Sequence, residues 1–421
     1  MQLLSKIAIW TTFATLFKLV VGLLVLKLLA WQFGTVGLGQ AANFMTLITV
    51  LTVFAGGGIA NGVTKYVAEF EHHLPKQQAL LATVNLITVF FSCLLAVCFI
   101  SFSHKISEWL FYTSTYSGVI IATGIMQFGI ACSHYALAIL KGYRAVKAVA
   151  ISLILGTLIG LVVCLIAFYI AGYQGILIGL VAIPAFTFLP ASYFLHKQLS
   201  MIKLCCFAFV PQQASNLFKF SLMVLITAVT LPVAHILMRQ LIVESHSFTD
   251  VGLWQAVSKI SDAYIQLITV VFSVYLLPSL AKLHSAEAIK TELQRVIKWV
   301  AMVLSFIALL IFISREWLIM LLYSPAFLSM KVLFGWQLLG DIFKVLAYVF
   351  GYLVIAKARL TLYLLAELIQ LGLLVGIGYL LIPQYGAVGA VQTYCLTYLC
   401  YLIVCIAVFM LYLKRSSLKQ H

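Results

Sequence analysis

Charge is what this sequence has least of. Only 9% of its 421 residues are charged, against roughly 25% in a soluble domain. Acidic residues are scarcer still: 11 Asp and Glu stand against 26 Lys and Arg, a formal net charge of +15. A chain that is 64% apolar cannot cover a water-facing surface, which excludes a soluble enzyme. The same composition excludes disorder, collagen and coiled coil. No P-loop, HExxH or GxSxG pattern is present, and the polar stretches are too short for a catalytic domain, so no catalytic residue, cofactor or metal is expected. The nine cysteines (93, 98, 132, 164, 205, 206, 395, 400 and 405) form no CxxC and no Cys/His cluster. They read as small buried hydrophobes, with no zinc site and no disulfide frame.

Long apolar runs are what the sequence has instead. A bilayer-spanning helix needs about 20 residues, and polar punctuation divides the chain into twelve such runs. Their approximate cores are 6–30, 38–66, 78–102, 116–140, 148–171, 175–196, 216–241, 250–281, 293–313, 331–356, 360–381 and 386–413. The fold class is therefore an all-α polytopic membrane protein. With both termini in the cytoplasm, eighteen Lys and Arg fall on the cytoplasmic side and four (Lys105, Arg239, Arg315 and Lys331) on the other. That asymmetry sets the orientation. The net positive charge reads as loop bias toward anionic lipid, and nucleic acid is not an expected partner. Trp31, Trp109 and Trp317 near outer ends and Trp10 and Trp299 near inner ones suit an aromatic belt.

The chain also repeats itself. VGLGQA at 36–41 returns as VGLWQA at 251–256; LKGYRA (140–145) and AKARLT (356–361) place a basic turn after the fourth and tenth helices; YQGILIG (173–179) echoes QYGAVGA (384–390). These matches predict two six-helix lobes, 1–200 and 216–421, joined by a cytoplasmic linker at 201–215. Six being even, the lobes insert in the same orientation about an axis along the membrane normal. Such a pair is expected to enclose a central cavity, which is transporter architecture.

Charge inside a membrane segment is costly and calls for a reason. Lys18 lies about 18 Å into the first helix at 1.5 Å per residue, with no carboxylate on the same helix. It is either a cavity-facing cation for an anionic substrate or a structural lysine paired elsewhere. Lys27 lies near an outer end, where snorkelling suffices. Lys259 and Asp262 on the eighth helix, and Asp341 and Lys344 on the tenth, are spaced i, i+3, so each pair shares one face. Each is an internal ion pair or an ion-sensitive couple on the cavity wall. Glu367 faces a similar choice. His134 and His235 read as hydrogen-bonded interior histidines before they read as switches. Pro232 should bend the seventh helix, as a hinge or a static kink. In FAGGGIANGVTKY (54–66), Gly58 and Gly62 form a close-packing seam, and Asn61, Thr64 and Lys65 place polar groups at an inner end.

The blocks FGTVGLGQAANFMTLITVL (33–51), GGGIANGVTKYVAEF (56–70), WQAVSKISDAYIQLITVVFSVYLLPSLAKL (254–283) and FGWQLLGDIFKVLAYVFGYLVIAKA (334–358) resemble the Wzx polysaccharide flippases of the multidrug/oligosaccharidyl-lipid/polysaccharide exporter superfamily. Within that family they are most similar to the branch serving enterobacterial common antigen. The resemblance implies a multi-pass protein of the bacterial inner membrane that moves an undecaprenyl-pyrophosphate-linked oligosaccharide to the periplasmic leaflet by alternating access with ion coupling. It also implies a polysaccharide polymerase and chain-length regulator as partners. On that reading Lys18, Lys259 and Lys344 meet the pyrophosphate, and Gln40, Asn43, Asn61, Trp254, Gln255 and Gln337 meet sugar hydroxyls. Asp262, Asp341, Glu367, Lys65 and Pro232 couple or gate. The alternatives are a flippase for another surface glycan, such as an O-antigen unit, and a multidrug exporter of the same superfamily.

The orientation is open to direct test. A reporter active only outside the cytoplasm should be active when joined after Lys105 or Lys331 and silent after Lys147 or Lys290. The opposite pattern would invert the topology.

Overall fold

The computed structural model describes residues 2–198, 207–283, 285–357 and 360–417. Among them regular structure is helical throughout. The α-helices are α1 (Gln2–Phe54), α2 (Ala60–Glu69), α3 (Leu74–Ser101), α4 (Ser103–Phe111), α5 (Ser117–Gly142), α6 (Val146–Ala185), α7 (Phe188–Gln198), α8 (Pro211–Ser245), α9 (Phe248–Val271), α10 (Leu277–Lys282), α11 (Ala286–Leu322), α12 (Phe334–Ala356) and α13 (Leu360–Ser417). A π-turn at Phe272–Leu276 joins α9 to α10, and a 3-10 segment at Pro325–Val332 precedes α12.

Seven continuous helical stretches are long and apolar enough to cross a membrane. Three of them, of 45, 53 and 53 residues, break at Gly34, Gly172 and Gly386 and so hold two rods each. The more polar α8, and α9 with α10, supply two further rods. The described residues thus contain the twelve expected spans. Two short helices prolong them: α2 extends the second and α7 the sixth. On α11, Met302, Phe306, Leu309 and Ile313 are all exposed, the arrangement of a helix whose outer solvent is lipid.

The breaks at Gly172 (φ 53°, ψ −122°) and Gly386 (φ 56°, ψ −127°) have nearly the same backbone geometry, one that a side chain would forbid. Each reverses the chain without a loop. After the first, Gly175 packs on the Ala167 carbonyl, Gly179 on Cys164 and Gly160 on Ile183, so two rods run antiparallel along a glycine seam. After the second, Gly389 packs on the Leu381 carbonyl. The structural register of the repeat therefore pairs Gly172 with Gly386 and Gly175 with Gly389, an offset three residues from the sequence pairing of Tyr173 with Gln384.

Two compact units are distinguished: Met1–Leu29 with Gln40–Pro232, and Ala30–Gly39 with Val233–His421. The division falls at Pro232, inside α8. Residues 201–206 of the expected linker, with Cys205 and Cys206, lie outside the described residues. The linker residues that follow are tied to the first unit, where Thr83 Oγ1 donates to the Ala208 carbonyl and accepts from the Val210 amide, both at 3.2 Å. Its core gathers Ile59, Val63, Val67, Leu80, Leu137 and Leu140. The glycine run at 56–58 forms the turn between α1 and α2. Ser92 donates to the Ala55 carbonyl at 3.0 Å and Ser221 to the Gly57 carbonyl. The second unit packs Ile265, Phe272, Leu276, Leu293, Val345 and Val349 together. Within this unit the two copies of the VGL repeat also meet: Gly39 abuts the Phe248 carbonyl and Gly252 the Thr35 carbonyl.

At that crossing an added Cβ would fall 2.2 Å and 2.0 Å from the carbonyl oxygens of Phe248 and Thr35. Gly39→Ala and Gly252→Ala should each destabilise by about 1–3 kcal/mol. Gly351→Ala, with no atom within 4 Å of the new methyl, should be neutral or stabilise by up to about 1 kcal/mol. Melting of the purified variants in detergent checks the order.

Candidate functional site

The second unit holds a polar cluster built from α8, α9, α12 and α13. Helix α9 starts where Ser247 caps it: its Oγ accepts from the Asp250 amide at 3.3 Å and donates to the Asp250 carboxylate at 2.9 Å. This fixes the first turn. The helix then buries Val251, Trp254, Gln255, Val257, Ile260 and Ser261, which carries Ser261 and Tyr264 to α12. There they meet Asp341, only 1% exposed. Its Oδ2 accepts from Ser261 Oγ at 2.6 Å and from the Tyr264 hydroxyl. Its Oδ1 accepts from the Tyr394 hydroxyl at 2.7 Å and from Gln337 Nε2 at 3.3 Å. Four neutral donors surround one carboxyl group, which offsets the desolvation that burial imposes on it.

Lys344, one turn further along α12, is half-buried and does not close an ion pair with Asp341. Its Nζ sits over the rings of Tyr398 (5.1 Å), Tyr394 (5.2 Å) and Tyr348 (5.9 Å), a cation–π cage. Tyr394 thereby touches both charges, its hydroxyl to Asp341 and its ring to Lys344. Tyr398 is fixed by Gln370, whose Nε2 donates to its hydroxyl at 2.5 Å. The other i, i+3 pair does close: Lys259 Nζ lies 3.1 Å from Asp262 Oδ2, and both side chains are partly exposed. Asp262 in turn feels the charges of Lys344 and His235.

Arg239 is the residue the sequence reading misplaced. Counted there as an outer-side cation, it is 4% exposed within α8. Its Nη2 donates to Gln255 Oε1 at 3.0 Å, and its guanidinium lies 5.7 Å from the Trp254 ring. His235 meets the same ring edge-on at 5.8 Å. Arg239 and Asp262 interact electrostatically. Trp254 and Gln255, nominated for sugar, thus form the wall around a buried arginine. Ser261, Tyr264, Tyr394 and Tyr398 were also missed.

The remaining candidates disperse. Glu367 hydrogen-bonds with Tyr363, one turn before it on α13. Pro232 stands within α8. In the first unit Lys18 is exposed on α1, and its charge is felt by His134 alongside that of Lys141. These form a second cationic group, in which no carboxylate pairs with Lys18 among the described residues. Gln40 is half-buried; Asn43 is buried and donates to the Leu110 carbonyl at 3.4 Å. Asn61 and Lys65 are exposed on α2, with the Lys65 ammonium 4.7 Å from the Tyr66 ring.

Chemically, the cluster in the second unit offers three permanent cations, two carboxylates and a histidine within one electrostatic neighbourhood. Low polarity strengthens each interaction there. Asp341→Asn should lower stability more than Tyr394→Phe, which removes one charge-assisted hydrogen bond worth about 1.5–3 kcal/mol. In a double-mutant cycle read by melting, the double variant should lose less than the sum by about 0.5–3 kcal/mol. Additive losses would show that the hydroxyl does not support the carboxyl group.

Comparison with known proteins places this geometry. The family model for polysaccharide biosynthesis proteins matches residues 28–332. Lipid III flippases of Escherichia coli (strain K12) and Shigella flexneri are each 45% identical over 417 residues, covering 98% of this chain and all of theirs. Among solved structures, an inward-facing multidrug resistance MATE family transporter of the MOP superfamily superposes with a TM-score of 0.76 at 15% identity, over 96% of this chain and 95% of its own. The lipid II flippase MurJ, in an inward closed conformation, gives 0.75 at 14% identity over 97% and 90%. Those two establish the fold; the family match and the full-length relatives establish kinship. This multi-pass membrane protein belongs to the polysaccharide biosynthesis protein family.

Proposed function

We propose that the chain is a flippase for a lipid-linked oligosaccharide. It carries an undecaprenyl-pyrophosphate-linked glycan of the lipid III type from the cytoplasmic to the periplasmic leaflet of a bacterial inner membrane, with both termini cytoplasmic. One observation carries the reading: similarity to lipid III flippases extends over 98% of the chain at 45% identity. The physical task agrees with the residues. A pyrophosphate cannot enter hydrocarbon bare, so the protein must offer it cations in a sheltered setting. Lys18 in the first unit and Lys259 and Lys344 in the second are the proposed contacts. The prenyl tail gains nothing from leaving lipid and stays there. Translocation exposes the headgroup contacts first to one side of the membrane and then to the other, and breaks no covalent bond.

Coupling is assigned to Asp262 and Asp341. Asp341 is bonded on both oxygens by hydroxyl and amide donors, so gain or loss of its proton rearranges Tyr394 and, through that ring, the seat of Lys344. Asn61, Gln40, Asn43, Gln255 and Trp254 are proposed around the sugar, and Lys65, Glu367 and Pro232 in gating. The two six-helix lobes, 1–200 and 216–421, remain the proposed organisation of the transport cycle. The polymerase and chain-length regulator are its proposed neighbours in the membrane.

Expression in a strain lacking its lipid III flippase, with detection of surface glycan, tests the proposal. The wild-type chain should restore the glycan, and Lys18→Ala, Lys259→Ala and Lys344→Ala, at equal membrane abundance, should each reduce it at least about tenfold, as loss of a single charge-assisted contact of ~1.5–3 kcal/mol requires. Wild-type levels in all three variants would overturn the site. Failure of the wild-type chain with rescue of a different surface-polysaccharide pathway would keep the reaction and change the glycan.

A further inference from the structure

Apart from the polar cluster, the second unit carries a cavity of about 470 Å³ lined by Phe312, Arg315, Lys331, Val332, Gly335, Trp336 and Leu339. It lies where the last turns of α11, the 3-10 segment and the first turn of α12 meet, at the end of α11 opposite its basic flank of Lys290, Arg295 and Lys298. None of its lining residues belongs to the cluster assigned to transport.

Its chemistry is specific. Arg315 Nη1 donates to the Phe312 carbonyl at 2.8 Å, and the guanidinium lies 4.0 Å above the Phe312 ring. These two contacts hold the fork against Phe312. Its Nε is shielded and has no hydrogen-bond partner, and no carboxylate pairs with Arg315 among the described residues. Glu316, the acidic residue that follows Arg315, is engaged by Lys331 at 3.2 Å. One guanidinium beside the cavity is therefore left uncompensated. The walls are apolar: Phe312, Val332, Trp336 and Leu339 are all exposed. They continue into the exposed face of α11 through Leu309 and Ile313.

We infer that this cavity binds the phosphate of an anionic membrane lipid, with Arg315 as the charged contact. A planar guanidinium matches phosphate oxygens two at a time. Tryptophan at a helix end suits the headgroup level of a bilayer. The apolar walls distinguish a lipid from a soluble anion, because they give the glycerol and the first acyl carbons a surface to lie on. The volume falls within the range of small-molecule sites. The lipid is a resident of the bilayer, and its binding does not depend on the identity of the transported glycan.

The test is lipid retention by the purified protein in mixed micelles of phosphatidylglycerol and phosphatidylcholine, read by native mass spectrometry. Wild-type protein should retain the anionic lipid over the zwitterionic one by about fivefold, the factor set by one basic side chain at a lipid surface. Arg315→Gln should bring the ratio close to one. Gly335→Leu should do the same while leaving Arg315 in place: a Cβ there meets only Phe312 Cε2, at 3.9 Å, so the larger side chain fills the cavity without displacing backbone. Lys105→Gln, which removes an exposed cation on α4 in the first unit, should keep the preference. A wild-type ratio near one, or a preference kept by both cavity variants, would overturn the inference. So would displacement of the lipid by millimolar inorganic phosphate, which would identify a site for a free anion.

Discussion

A carboxyl group enclosed in an oily protein must be fed hydrogen bonds from every side, and Asp341 is. Ser261 and Tyr264 reach it from α9, Tyr394 from α13 and Gln337 from the preceding turn of its own helix. Removing any one donor leaves the others intact, but removing the acceptor orphans four at once. Three helices are thereby held in register by one side chain. The same tyrosine that bonds Asp341 also supplies a face to Lys344, so a change at either charge is felt at the other. That linkage gives a transporter something to work with: two charges in nonpolar surroundings whose positions depend on each other.

The scaffold around the cluster follows from the same economy of polar groups. Backbone amides in lipid must be satisfied within a helix, so the chain reverses at single glycines and avoids loops where it can. The near-identical torsions at Gly172 and Gly386 show one solution used twice. Each reversal is followed, one turn on, by a glycine packed on the carbonyl of the preceding rod. Where polar connections do occur, side chains tie them down: Ser92 and Ser221 hold the carbonyls of Ala55 and Gly57 around the break in the second span.

Much of this was legible in the sequence because it depends on bulk quantities. Scarce charge, long apolar runs and the lopsided placement of lysine specify a polytopic helical protein, and the recurrence of VGLxQA marks a repeat whose two copies pack together. The site was legible only in part. A spacing of i, i+3 says that two side chains share a face, and for Lys259 and Asp262 that was enough. For Asp341 and Lys344 it was not, because the choice of partner was made by tyrosines on α13 that sit some fifty residues away in sequence and form no motif. Arg239 was misread for a related reason. A cation two residues inside an estimated helix end looks interfacial, and only the packing of Trp254 and Gln255 around it reveals burial. The glycine register slipped by three residues because letter matching favoured Tyr173 over the conformationally decisive Gly172.

The account depends on the charges at Asp341 and Lys344, linked through Tyr394, serving movement of an anionic, sugar-bearing headgroup. The most direct measurement is translocation by the purified chain in proteoliposomes loaded with an undecaprenyl-pyrophosphate-linked trisaccharide, scored by the fraction of glycan that becomes accessible to an impermeant oxidant. Wild-type protein should move the lipid. Lys344→Met, which keeps length and apolar contact with Tyr394 and Tyr398 but removes the charge, should fold and leave the fraction at the protein-free level. Equal translocation by both would contradict the account.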